Sequence, residues 1–362
     1  MTSDGTSEDL KYNALFSNPR TASHLLTRLL NLPNQPAVHR HPDDGYIFMR
    51  PTLMRLKRWL GGKPVSCWTV HDQKSIQYAF QRSHDDLARW RCVAQANGKG
   101  AYLKFHCVDL VEPISETRWL HGVESAQGMQ PWTVSTARNS YDGCNSSFRS
   151  EGNETCFPDS ILKSWNPTFL IRHPALVLPS LVRADLDVGN DFLLSAESDA
   201  ETQGYRTAWE DAKKWQVTFH WQRQLLEWYL AHLSDEEKHT GEEHVSYPIV
   251  LDADDIQSPS AHELLEKYTR AVGLDPNVVE FQWSAAPKRE VEEMNIYEKR
   301  LLDTISASTG IVPGKTANGL VLEDEKIKWM TEFGKDLGAK LGVWVDEAME
   351  DYERMREVRL KV

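Results

Sequence analysis

The sequence predicts an α/β fold with a central parallel sheet flanked by helices. Short, almost wholly apolar runs recur at residues 12–17, 101–106, 168–172 and 247–251, and the segments between them carry apolar residues at helical spacing. Strands apolar on both faces belong in a sheet covered on both sides, and strands alternating with long helices pair in parallel. At 362 residues the chain can bury a sizeable core without staples, and it reads as one domain over 1–362.

Taken in order, residues 12–17 (Tyr-Asn-Ala-Leu-Phe-Ser) are the first strand, Asn18-Pro19 the turn after it, and 23–32 a helix with leucines at 25, 26, 29, 30 and 32. Residues 46–60 are amphipathic and end at Gly61-Gly62. Residues 73–96 form a long helix with Ile76, Phe80, Leu87, Trp90 and Val93 on its apolar stripe, and Gly98-Lys99-Gly100 turns the chain into the next strand. From 116 to 158 the chain is polar without a sustained period, the pattern of an insertion or lid. One helix is expected over 205–233, an acidic surface turn over 234–243, and a helix over 260–272 closed by Gly273. The C-terminal region, 287–362, reads as helical and packed on the core, with helices over 291–306 and 323–361. Gly334, Gly338 and Gly342 lie four apart in the second of these, on a face that would permit close helix contact or pairing with another subunit.

Composition narrows the function classes. Forty-one basic against 53 acidic residues leave a net charge of −12, which repels nucleic acid and anionic membrane, although an anionic small ligand fits wherever cations are concentrated locally. No apolar run approaches the ~20 residues of a membrane span, and the opening Met1-Thr2-Ser3-Asp4-Gly5 lacks the basic and apolar regions of a secretion signal, so a cytoplasmic location is expected. Five cysteines (67, 92, 107, 144, 156) without a CxxC pair read as reduced thiols, and two glycosylation sequons at Asn145 and Asn153 read as polar loops. The histidines show no ligand spacing, so no metal is assigned.

Ligands in parallel sheets bind beyond the carboxyl ends of the strands, and three such ends carry polar chemistry. After the first strand, Asn18-Pro19-Arg20-Thr21-Ala22-Ser23-His24 brings an Arg, hydroxyls and main-chain N–H groups to a helix start, an anion site in outline. On that segment alone Ser23 reads as a helix cap and Arg20 as a surface residue. Lys104 and His106 share one face of the second strand, where an imidazole can take a proton while the ammonium steadies a leaving anion. After the third strand, Arg172-His173-Pro174 is followed by Ser180 two turns into a helix, two groups able to grip one phosphate. Each residue also has an ordinary structural explanation when taken singly.

In order and spacing these elements resemble the sulfotransferase family, whose members use 3′-phosphoadenosine 5′-phosphosulfate (PAPS). Pro19-Arg20-Thr21-Ala22-Ser23-His24 is similar to the family's 5′-phosphosulfate loop, Lys104-Phe105-His106 to its Lys-Thr-His, and Arg172-His173-Pro174 with Ser180 to its 3′-phosphate motif. Ile249-Val250-Leu251-Asp252-Ala253-Asp254-Asp255 matches a later strand that ends in acidic residues. The resemblance spans roughly 12–273. More narrowly, these segments look like a fungal branch associated with secondary metabolism. It implies a P-loop-like, sulfotransferase-type fold and PAPS as cofactor. Arg20, Thr21, Ala22, Ser23, His24, Arg172 and Ser180 would hold it, with His106 as catalytic base and Lys104 beside the leaving group. Two departures stand out: the loop glycine is Ala22, whose Cβ crowds a close phosphate, and the second loop hydroxyl is His24. The family's late Gly-rich basic segment has only 312–316 and Gly334-Lys335 as candidates.

The implied partner is a small-molecule hydroxyl acceptor, with no nucleic acid and no membrane, and the chain a monomer or homodimer. A hydrophobic acceptor calls for aromatic walls, and with thirteen tryptophans available Trp68, Trp132, Trp221 and Trp228 are the candidates, against ordinary core for each. The alternative is a cofactor-independent cyclase, dehydratase or isomerase that reuses His106, Lys104 and Asp254 for proton transfer; a third reading is a non-catalytic binder on the same fold. Binding of the desulfated cofactor discriminates them.

Overall fold

The computed structural model describes residues 10–41, 45–136, 147–189 and 200–362. Five strands form one all-parallel sheet: β1 (Tyr12–Ser17), β2 (Val38–His39), β3 (Gly100–His106), β4 (Asn166–Ile171) and β5 (Ile249–Asp252), in the spatial order β2-β3-β1-β4-β5. At most one residue of each of the four longer strands escapes burial, which is why they read as apolar runs in the sequence. β2 has two residues and carries no pattern that a sequence reading can find.

Helices cover both faces, among them α1 (Ser23–Leu29), α2 (Met49–Lys57), α3 (Val70–Ala96), α4 (Cys107–Leu110), α5 (Pro113–His121), α6 (Asp159–Lys163) and α7 (Pro174–Asp187). The expected helix over 205–233 is two helices, α8 (Ala200–Gln216) and α9 (His220–His232). Thr218 lies between them, and its hydroxyl accepts from the first N–H of α9 at 3.1 Å, so the second helix starts afresh. After α10 (Ala261–Ala271), the expected helix over 291–306 is likewise split into α11 (Lys288–Glu293) and α12 (Ile296–Ala307), with Asn295 and Glu298 forming a capping box at the start of the latter.

The helix expected over 323–361 is a hairpin of α13 (Leu322–Glu332) and α14 (Lys335–Glu357). Gly334 makes its turn at φ 82°, so it leaves the face that Gly338 and Gly342 share. A Cβ on Gly338 would stand 2.5 Å from Met330 Cα, and one on Gly342 would stand 3.4 Å from the Lys326 side chain. The small residues let α14 close on α13 within one chain.

The first part of the 116–158 insertion holds the end of α5 and a 3-10 turn at Val123–Ala126, and its middle, with Cys144 and the Asn145 sequon, lies outside the described residues. Asn153, in the second sequon, is buried and bonded to Thr155, Phe157 and Asp159. Cys67, Cys92, Cys107 and Cys156 are free thiols. Among the described residues no helix is long and apolar enough to cross a membrane.

Candidate active site at the strand ends

The register of the sheet lines up the carboxyl ends of its strands. Ser17 pairs with His106 across β1 and β3 and with Leu170 across β1 and β4, and Ile171 pairs with Asp252 across β4 and β5. The connections that leave these strands therefore open onto one edge, and between the neighbours β1 and β4 they depart in opposite directions, from β1 toward β2 and from β4 toward β5.

The loop after β1 is tightly wound. Arg20 and Ala22 both take left-handed backbone conformations, at φ 68° and 62°, and Thr21 ties the turn by donating to the Asn18 carbonyl at 2.7 Å. Ala22 occupies the cap position of α1, and Ser23 is the first, buried helical residue and not the cap. An L-residue in this conformation carries a strain of ~1–2 kcal/mol that glycine avoids. The Ala22→Gly substitution is therefore expected to raise stability by about 0.5–1 kcal/mol, read as a higher denaturant midpoint. Gln222, wholly buried at the start of α9, fixes the loop from above: it accepts from Asn18 at 3.2 Å and donates to the carbonyls of Phe16 and Leu170 at 3.2 and 2.9 Å. Its position inside a Trp-rich helix gave the sequence no signal of that role.

Two groups of side chains gather on this edge. In the first, Arg20 Nε donates to Ser180 Oγ at 2.9 Å, and Arg172 Nη1 donates to the Arg20 carbonyl at 3.0 Å. The remaining contacts of the two guanidinium groups reach the C-terminal region: Arg20 Nη1 donates to the Leu301 carbonyl at 2.9 Å, and Arg172 Nη2 to the Lys315 carbonyl at 2.8 Å. Asp254 accepts from Ala317 N–H at 2.9 Å, docking the same segment. Residues 312–316, one candidate for the late cofactor segment, thus lie at this site, whereas Gly334-Lys335 turns the α13–α14 hairpin. Burial lowers the pKa of both arginines; Arg300 adds to this at Arg20, and Asp254 opposes it at Arg172.

In the second group Lys104, 1% exposed, stands 3.3 Å from His24 Nε2 and 3.4 Å from Nδ1, with its ammonium 4.3 Å from the centroid of the Tyr46 ring. His106 Nδ1 lies 3.0 Å from Ser17 Oγ, which is itself 3.4 Å from the Phe105 carbonyl. With the Ser17 proton directed to that carbonyl, its oxygen accepts from Nδ1–H, and Nε2 carries the lone pair. Burial first, then Lys104, push His106 down to about 3, and burial with Lys104, His106 and Arg20 holds His24 well below its usual value. Both imidazoles rest neutral beside a buried ammonium.

Among the described residues the hydrogen bonds and ring contacts of the four tryptophans go to other partners. Trp68 packs edge-on against Trp132, and Arg55, ion-paired with Glu116, lies over Trp68 and Trp215. Trp221 donates to the Trp215 carbonyl and packs on Trp119; Trp228 donates to Ser150 and stacks on His232. Trp68, Trp221 and Trp228 are at most 4% exposed and Trp132 is half-buried, packing as large aromatics of a core do.

Cations concentrated at the strand ends of an acidic chain are chemically able to hold an anion, and a neutral imidazole beside them is able to accept a proton. Arg172 Nε is buried with no hydrogen-bond partner among the described residues, a donor that a phosphate oxygen would satisfy. No family model matches the chain, and no solved structure matches it. Two curated proteins do. Sulfotransferase ppzF of Metarhizium majus (strain ARSEF 297) is 31% identical over 350 residues, covering 96% of this chain and 96% of its own. Sulfotransferase ppzF of Metarhizium rileyi (strain RCEF 4871) is 29% identical over 348 residues, covering 96% and 95%. With that identity running through nearly the whole of both chains, and with an all-parallel sheet flanked by helices, the chain belongs to the fungal sulfotransferase-like family.

Proposed function

We propose that the protein transfers a sulfuryl group from PAPS to a hydroxyl of a hydrophobic small molecule, a secondary metabolite by analogy with the fungal branch its motifs resemble. The observation that carries this reading is the meeting of Arg20, Arg172 and Ser180 with Lys104 and His106 along one sheet edge. The names of the two relatives support the same reaction class.

When bound, PAPS supplies the sulfuryl group, its sulfur bonding to the acceptor oxygen as the bond to the bridging phosphate oxygen breaks and the electron pair leaves on that oxygen. His106 takes the acceptor proton at Nε2, the nitrogen left open by Ser17. Lys104, Arg20 and the N–H groups of residues 21–23 neutralise charge on the 5′-phosphate side, and Arg172 with Ser180 holds the 3′-phosphate. A resting imidazole pushed down to about 3 would be a weak base by itself. An anion held against Lys104 cancels part of the ammonium's repulsion, the second cause of that shift after burial, and so relieves part of it.

Calorimetric titration with 3′-phosphoadenosine 5′-phosphate (PAP), the desulfated donor, tests the reading. A Kd on the order of micromolar is expected. Absence of heat at millimolar PAP, together with turnover of a metabolite without any donor, would replace it with the cofactor-independent cyclase or dehydratase.

A further inference from the structure

Gln222 is a polar side chain with no exposed surface, and it stands between the two halves of the proposed donor site. From the first turn of α9 it meets three groups. Its Nε2 donates to the Phe16 carbonyl at 3.2 Å and to the Leu170 carbonyl at 2.9 Å, and its Oε1 accepts from Asn18 Nδ2 at 3.2 Å. The two carbonyls decide how the amide is turned, because only its NH2 end can serve both. Oε1 is thereby left facing the loop after β1, and Asn18, 3% exposed, turns its own NH2 toward it. The Asn18 carbonyl in turn accepts from Thr21 at 2.7 Å.

These contacts fall just ahead of the two arginines. Phe16 is next to last in β1, with Arg20 beyond it in the loop; Leu170 is next to last in β4, with Arg172 directly after the strand. The sheet register sets Ser17 beside Leu170 but does not reach the loop that follows, and Gln222 supplies the missing tie through Asn18. Arg172 also donates to the Arg20 carbonyl, yet that guanidinium is itself assigned to the ligand. Gln222 is out of reach of any ligand and acts only through the residues it holds. Leaving any of its three partners unpaired in a buried site is costly, so one arrangement of the loop against the end of β4 is favoured.

We propose that Gln222 is a positioning residue for donor binding: it holds the loop after β1 against the end of β4 at the separation that lets Arg20 on one side, and Arg172 with Ser180 on the other, engage two phosphates of one nucleotide. The proposal rests on the PAPS reading. It makes the preference for a bisphosphate over a monophosphate depend on Gln222, since a ligand with one phosphate does not sense the interval between the two halves.

The test compares PAP with adenosine 5′-phosphate (AMP), which lacks the 3′-phosphate, by calorimetry on the full chain. The wild-type protein should bind PAP more tightly than AMP. Gln222→Met keeps the length of the side chain and loses all three hydrogen bonds. Its PAP affinity is expected to fall about 10- to 100-fold, the effect of one lost charge-assisted phosphate contact, with AMP affinity nearly unchanged. The melting temperature should fall as well, but the ratio of the two affinities is the quantity that a purely structural role would not move. Asn18→Ala removes only the loop's side of the tie and should narrow the ratio in the same direction, so it carries the test even where Gln222→Met does not fold. The double variant should bind PAP no more weakly than Gln222→Met alone, because both residues act through one link. If folded variants bind PAP as tightly as the wild type, or lose PAP and AMP by the same factor, Gln222 only supports packing, and the proposal falls while the PAPS reading stands. A wild-type protein that binds PAP no better than AMP, or binds neither, overturns the PAPS reading and this proposal with it.

Discussion

Replacing His106 by alanine is expected to lower sulfuryl transfer about 100- to 10,000-fold, the span associated with removing one general base. The substitution leaves Arg20, Arg172 and Ser180 untouched, so PAP should bind with nearly wild-type affinity and the loss should appear in turnover at saturating PAPS. The ring is pinned at Nδ1 by Ser17 and held neutral by burial and by Lys104, so the wild-type residue rests in its proton-accepting form at neutral and mildly acidic pH. Initial rates of sulfate release measure the effect. Undiminished turnover in the alanine variant would remove His106 from the chemistry.

Arg172→Ala is expected to have the largest effect on donor affinity, weakening PAP binding by about 10- to 1,000-fold. Its guanidinium links three parts of the molecule: the end of β4, the loop after β1 through the Arg20 carbonyl, and the C-terminal region through the Lys315 carbonyl. A lysine at 172 restores the charge but not the planar fork, so it should recover only part of the affinity. Calorimetry with PAP on the three proteins reads the series directly, and equal affinities would place the 3′-phosphate elsewhere.

The sheet was legible because its strands are covered on both faces and so leave unbroken apolar runs, as at Ala14, Leu15 and Phe16. The lengths of the helices were less so. A hydroxyl at Thr218, a capping box at Asn295 and a left-handed glycine at Gly334 each interrupt a period that apolar residues carry straight through. Arg20, Lys104, His106, Arg172 and Ser180 were named on their order and spacing after the strands, in which they resemble the family's motifs. Tyr46 and Gln222 carry no such spacing. Tyr46 reaches the strand ends through a turn set by Gly45, and Gln222 reaches them from a helix whose apolar neighbours dominate its pattern. The tryptophans carried no comparable signal, since ring count says nothing of whether a ring lines a cleft or fills a core.

The two contacts that the C-terminal region makes with Arg20 and Arg172 come from peptide carbonyls, at Leu301 and Lys315. A carbonyl is the same in every residue, so what descent must preserve at these two positions is the path of the backbone and not the identity of the side chain. Substitutions at 301 and 315 are therefore expected to leave both contacts in place wherever the path of the backbone is kept.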